Sequence, residues 1–540
     1  MYINSPNMEG NNQQEKQDDI EKRKISEFKE KAQEKKRTDS RNEQLNYHRK
    51  RMIQPVQIRQ LSQEDFKFDE QFDDENVDYI NQKIQEFKLK IVNPQSEEEL
   101  WKALLIFETM SKKISSVNIK LTLSKDLNFV RQLLQQTQSP NISDECKLGT
   151  LQMLSEITES FKNLNDISPL ADQFAFEQYL RVYRQAKTEK TFTTVLQAIS
   201  QLTMDNIKSS EYFIHHGFYP EFLATFEKLM TVNSQLYLES IKDLCIILHG
   251  LSRQQHPFDY NHEKLGIVFQ YLIQTNDCDI HFDLSSAIDN IVRSYLNKNN
   301  FEWVANKFQE LYNLGLMNVV IKLINQENVW IPVKGNKILS AISHIKNDKI
   351  RHDFMIQIHE SGVFDQILKS IKHSQIQVVL KYHLFLTLKN LVDGGCIFPE
   401  KYNYLISNLL DPLVIEKKQL QQQVIEVIWL VFQKEKNKDF KIEITIQLIE
   451  ILCSILQDET DTDLLKKGLD IFDRVMSMSA QDANQKKHIK WLQRLGFNQI
   501  IHSLQQNKNE EICKKAVAVV SYLDSDEGSD SDDMKDESLD

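Results

Sequence analysis

Four short segments of this chain share one form, and that form limits the possible folds. GFYPEFL at Gly217, GLMNVVI at Gly315, GVFDQIL at Gly362 and GFNQIIH at Gly496 each read as glycine, a large apolar residue, three variable positions, then two mostly aliphatic ones. A glycine that ends one helix in the left-handed conformation and hands over to the next fits that role. A second signature recurs in LQMLSEIT at 151, LQAISQLT at 196, SSAIDNIV at 285, LSAISHIK at 339 and FLTLKNLV at 385. These helices return about every 40–54 residues, a spacing typical of helical solenoids. Each such helix pair has two apolar faces and buries both only by stacking on its neighbours, whereas an ordinary bundle would not hold one phase over hundreds of residues. From about Glu97 to Leu523 apolar residues fall at i, i+3, i+4 and i+7, the helical period. With 13 Gly and 10 Pro in 540 residues, the chain is poor in turn formers and suits long helices with short connections.

The flanks differ from this body. Residues 1–60 are polar and carry a dense basic stretch, KRKISEFKEKAQEKKRTDSRNEQLNYHRKR from Lys22 to Arg51, on a chain of formal net charge −12. Arg41, Leu45, His48, Arg49 and Met52 would share one face of a helix that stops before Pro55. Such an arm is built to bind an acidic partner or the body itself; a basic tail for nucleic acid is the plainer alternative. Residues 61–96 read as an acidic linker in which Phe66, Phe68 and Phe72 cannot form a core alone. After Leu523 comes DSDEGSDSDDMKDESLD, residues 524–540, expected to be disordered by self-repulsion, with Ser525, Ser529 and Ser531 preceding acidic residues. The six cysteines are scattered without a CxxC pair, which points to a reducing compartment and away from disulfide or zinc frameworks. No apolar run approaches the roughly 18 residues of a membrane span, and no secretory apolar region stands at the start. A soluble intracellular protein is expected.

The period is that of armadillo or HEAT repeats, and at this point the chain resembles a known family. Arg41, Glu43, Arg49, Lys50 and Arg51, with Phe28, Lys29 and Lys31 upstream, resemble the importin-β-binding arm of importin α. The run SEEELWKALLIFETMSKK at 96 looks like the opening helix of that family's first repeat. LCSILQDETDTDLLKKGLDIFDRVMSMSAQ at 452, LGFNQIIHSLQQNKNEEICKKAVAVVSYL at 495 and the acidic tail resemble its last two repeats and tail. Each piece is a weak motif, and their order and spacing carry the likeness. It implies an all-α, right-handed armadillo superhelix of about ten repeats over 97–523. It also implies an adaptor shuttling between cytoplasm and nucleus, which holds basic localisation signals of cargo proteins in a groove and docks on an importin-β-type receptor. An export receptor would meet Asn509, Glu510 and Glu511.

The family's groove carries a ladder of Trp-x-x-x-Asn pairs on the third helix of each repeat. Here the pairs read Gln152/Glu156, Gln197/Gln201, Ile246/Gly250, Ser286/Asn290, Ser340/His344, Leu386/Asn390 and Trp429/Gln433. The ladder is eroded, so cargo contacts are expected at Gln201, Asn290, Asn390, Trp429 and Gln433, centred on the later repeats, with a specialised cargo set. Trp429, in EVIWLVF, suits either groove or core. An armadillo scaffold outside nuclear import is the alternative. Direct nucleic-acid binding is disfavoured by the acidic body. Catalysis is not expected either: His215-His216 leads into an inter-helix glycine, the Cys278/His281 cluster lacks further ligands, and no phosphate loop or nucleophile elbow appears. No metal or cofactor is called for.

Overall fold

A computed structural model describes residues 77–524, apart from 105–126, 160–172, 206, 232–234, 254–259, 299, 329, 346, 374–377, 412–417, 436–441, 459–460 and 480–484. The arm residues Phe28, Lys29, Lys31, Arg41, Glu43, Arg49, Lys50 and Arg51 lie outside the described residues, as does the tail beyond Asp524. Contacts divide the chain into Met1–Val77 and Asp78–Asp540, and the second unit holds the helical stack. Its described residues form helices and no strand.

Nine helices set the architecture: α1 (Asp144–Glu159), α2 (Glu189–Asp205), α3 (Gln235–Ser252), α4 (Cys278–Leu296), α5 (Trp330–Ile342), α6 (Val378–Asp393), α7 (Lys418–Glu435), α8 (Thr462–Ser479) and α9 (Glu510–Asp524). Each packs on the next in this order, so they form one continuous ladder. They run parallel. Near their starts, Thr193 of α2 meets Ser240 of α3 at 3.0 Å between hydroxyls. Near their ends, Asn290 Nδ2 of α4 donates to Ser252 Oγ of α3 at 3.0 Å. Nine such helices stand among the described residues, against the ten or so repeats expected.

In front of α3, α5, α6 and α9 stand two shorter helices each: Ile207–His215 and Phe218–Met230, Phe301–Asn313 and Leu316–Ile324, Asp348–Glu360 and Val363–Lys372, Gln485–Arg494 and Phe497–Gln505. The corner between the two is built identically four times. Gly217, Gly315, Gly362 and Gly496 have φ of 75°, 83°, 73° and 68°. Each donates its N–H to the carbonyl three residues back, at 3.1, 2.9, 3.1 and 3.1 Å. A left-handed residue there reverses the chain without leaving the helix-end carbonyls unpaired. Short helix, short helix, long helix is the armadillo repeat, and the unit is an armadillo-type α-solenoid. The α7 repeat departs from it: a single 3-10 turn, Pro399–Lys401, precedes Tyr402–Leu409.

The core runs along the inner faces of the stack rather than around one centre. Leu244, Leu284, Leu339, Leu388, Ile428, Leu469 and Ala516 are sealed on successive ladder helices. Phe213, Phe218, Phe222 and Phe226 fill the wedge between the two short helices before α3, with ring centroids 5.4–6.0 Å apart. Within the linker drawn over 61–96, residues 61–76 lie outside the described residues and Val77–Val92 forms an α-helix. Its Ile84 and Ile91 are buried, and Gln136 Nε2 donates to the Val92 carbonyl at 3.3 Å. Ile84 and Ile91, seven residues apart, share one helix face, a stripe that the acidic composition of 61–96 concealed.

Candidate functional site: a cleft on the third helices

The ladder positions read from the sequence do not share one environment. Gln152 is exposed, Gln197 and Ile246 are half-buried, and the side chain of Glu156 lies outside the described residues. Gln201 is buried, 7% exposed, which leaves it little reach toward a peptide. Gly250 fills no groove position. A Cβ there would stand 2.7 Å from the Thr203 carbonyl oxygen, so α2 and α3 approach each other through it. Ser286 is sealed at 1% exposure.

Beyond Ser286 the amide positions open: Asn290 and Asn390 are half-buried and His344 is exposed, while Ser340 stays buried at 9% exposure. A cleft of about 420 Å³ crosses α4, α5 and α6, and Ser340, His344, Leu386 and Asn390 all line it. Helical spacing therefore brings four of the ladder residues to one place. Sequence reasoning missed Arg293, Asn297, Lys337 and His383, which line the same cleft. Their signal was present: Arg293 and Asn297 stand three and seven residues after Asn290, on the same helix face.

Both surviving asparagines are tied to the preceding ladder helix. Asn290 donates to Ser252, and Asn390 Nδ2 donates to Ser340 Oγ. Each amide keeps its carbonyl and second N–H available to a peptide backbone. His344 is exposed, with Nδ1 on the Ser340 carbonyl at 2.8 Å.

Toward the C-terminal end charge replaces aromatics. Trp429 is half-buried on the ladder face rather than in the core, and its Nε1 donates to Asp470 Oδ2 at 3.4 Å. Lys467 lies over its ring, 5.9 Å from the centroid, so the aromatic face already holds a cation from the same chain. Glu426 accepts from Lys389 and Lys467, each at 2.7 Å, bridging α6, α7 and α8. Burial raises the Glu426 pKa, but the two lysines outweigh it and hold the carboxyl below its ordinary 4.5. Lys515 of α9 continues the line to Asp470. Gln433 is half-buried on α7.

The expected export-receptor residues have structural duties. Asn509 caps α9, accepting from Glu511 N at 3.0 Å. Glu510 pairs with Lys514 at 2.7 Å and Glu511 with Lys466 at 2.6 Å. The Cys278/His281 cluster does not assemble: Cys278 is exposed and His281 buried. Among the described residues no group of three or more His, Cys, Asp or Glu is placed to hold a metal ion. None of the described helices is long and apolar enough to cross a membrane.

No family model and no curated protein matches the chain. Among solved structures, an engineered protein aligns with TM-score 0.57 at 12% identity, covering 82% of this chain and 98% of its own. A computationally designed armadillo repeat protein for modular peptide recognition aligns at 0.36 and 16%, covering 48% and 99%. A structure from work on the cadherin–β-catenin interaction aligns at 0.43 and 11%, covering 84% and 98%. At these identities the likeness concerns the fold alone.

Proposed function

We propose that this chain is a nuclear-import adaptor of the importin-α type with a specialised cargo set. In this reading the third-helix groove holds an extended segment of a cargo protein, and the basic arm docks on an importin-β-type receptor. The chain shuttles between cytoplasm and nucleus and performs no catalysis. The observation that carries the reading is the order of parts: a basic arm with Arg41, Glu43, Arg49, Lys50 and Arg51, then a stack of third helices with an open cleft, then an acidic tail. A parallel ladder offers side chains at regular intervals, which suits an extended peptide better than a compact ligand.

The test is affinity purification from cell extract with the intact chain and with Arg49, Lys50 and Arg51 all changed to Glu. The intact chain should retain an importin-β-type receptor and the reversed arm should lose it, with unchanged helical content. Binding should also fall steeply with salt, because several charge-assisted contacts act together. An arm that retains no such receptor even when intact leaves an armadillo scaffold outside nuclear import as the function.

A further inference from the structure

The chain carries a net charge of −12, yet Arg293, Lys337, His344 and His383 line the α4–α6 cleft and, among the described residues, no carboxylate does. Asp289 lies next to it, buried on α4, and takes Arg293 Nε at 2.6 Å while the Arg293 side chain stays 52% exposed. α5 contributes Lys337 to the lining and contains no acidic residue. α6 has Lys381, buried at 7% exposure, and Lys389, bonded to Glu426 of α7 at 2.7 Å, both away from the lining, and one carboxylate, Asp393 at its end, 3.8 Å from Lys434 of α7. The remaining lining is mixed: Leu296, Ala341 and Leu386 are apolar, Thr387 is spent on backbone carbonyls, and Asn297, Ser340 and Asn390 can donate hydrogen bonds. Such a surface repels a lysine-rich segment and attracts an acidic one.

An acidic segment is present in the same chain. Asp524–Asp540 holds nine Asp or Glu and one Lys. Its reach is sufficient. α9 ends at Asp524, four ladder steps from α5, and packed helices sit about 8–10 Å apart, so the cleft is roughly 30–40 Å away. The sixteen residues beyond Asp524 extend to about 50 Å. The edge is also right. The cleft is formed by the late residues of α4 and α6 and by the α5 end from Lys337 to His344. Because the ladder helices run parallel, Asp524 leaves α9 at that same edge.

We propose that the acidic tail docks within its own molecule in the α4–α6 cleft, its carboxylates against Lys337 and Arg293. Any ligand of this part of the groove must then displace the tail. This holds whether or not the chain serves nuclear import.

Treating the full chain with a carbodiimide tests it. The reagent activates a carboxylate, the Lys337 amine attacks to form an amide, and the reagent leaves as its urea. Peptide mapping should find Lys337 joined to tail residues, in a yield unchanged by dilution and suppressed by high salt. In parallel, a full-length chain with the nine tail carboxylates changed to Asn or Gln should bind a labelled synthetic peptide of the 524–540 sequence. It should bind about tenfold or more tighter than the unaltered chain does. Lys337→Glu, or His344→Glu at an exposed position, should abolish that gain. Cross-links that avoid Lys337, a yield that falls on dilution (contact between copies), or equal peptide binding by all these chains would overturn the proposal.

Discussion

Gly217 and Gly250 are both glycine for backbone reasons, and the reasons differ. Gly217 needs its positive φ of 75°, and a Cβ there would meet nothing within 4 Å. Gly217→Ala should therefore cost only the left-handed penalty, about 1–2 kcal/mol. Gly250 is helical, and a Cβ would sit 2.7 Å from the Thr203 carbonyl oxygen, so Gly250→Ala must part α2 from α3. Overpacking of that kind costs about 1–3 kcal/mol and here falls on a backbone contact that cannot rotate away. Urea unfolding should place Gly250→Ala below Gly217→Ala in midpoint; the reverse order would refute the close-approach account. The corner glycines were legible in the sequence because their cause is local, one residue reversing one helix. Gly250 was misread as a groove position because its cause, Thr203, stands 47 residues earlier in the chain.

Between helices, the same limit recurs. Positions spaced along one helix were legible, so Ser340, His344, Leu386 and Asn390 met in one cleft as a shared face requires. Partners across helices were not: Asn290 with Ser252, Asn390 with Ser340 and Trp429 with Asp470 are 38, 50 and 41 residues apart. One such link joins three helices: Glu426, bonded to Lys389 and Lys467. Its folded-state pKa is depressed, so its contribution is full at neutral pH and fades as the pH falls below the ordinary carboxylate value of 4.5. Glu426→Gln should lower stability at pH 7 by about 1 kcal/mol, discounted for partial exposure of the three side chains. At pH 3 the variant and the parent should unfold much closer together. A difference that persists undiminished in acid would assign the effect to packing instead of charge.

Across the whole molecule, stability in a stack of this kind is a sum over neighbours. Hydrogen exchange should accordingly be slowest in α3–α5 and faster toward α1 and α9, where a helix has fewer neighbours to hold it. Uniform protection from end to end would show global cooperativity that nearest-neighbour packing does not supply. The early ladder has no tryptophan, so three cation–π contacts at about 0.5–2 kcal/mol each are missing for a conventional lysine-rich signal. A fluorescent monopartite peptide should bind weakly, and submicromolar affinity unaffected by Trp429→Ala would overturn that expectation. Trp429 itself introduces a different quantity. Lys467, tethered one helix away and resting 5.9 Å from the ring centroid, competes for that aromatic face at the effective concentration of a short tether, on the order of millimolar. An incoming lysine or arginine must outcompete a resident amine that cannot diffuse away, so the slot is self-buffered. Removing the resident should then strengthen binding: Lys467→Ala should raise affinity for a cationic peptide at this repeat, although it deletes a positive neighbour of Glu426.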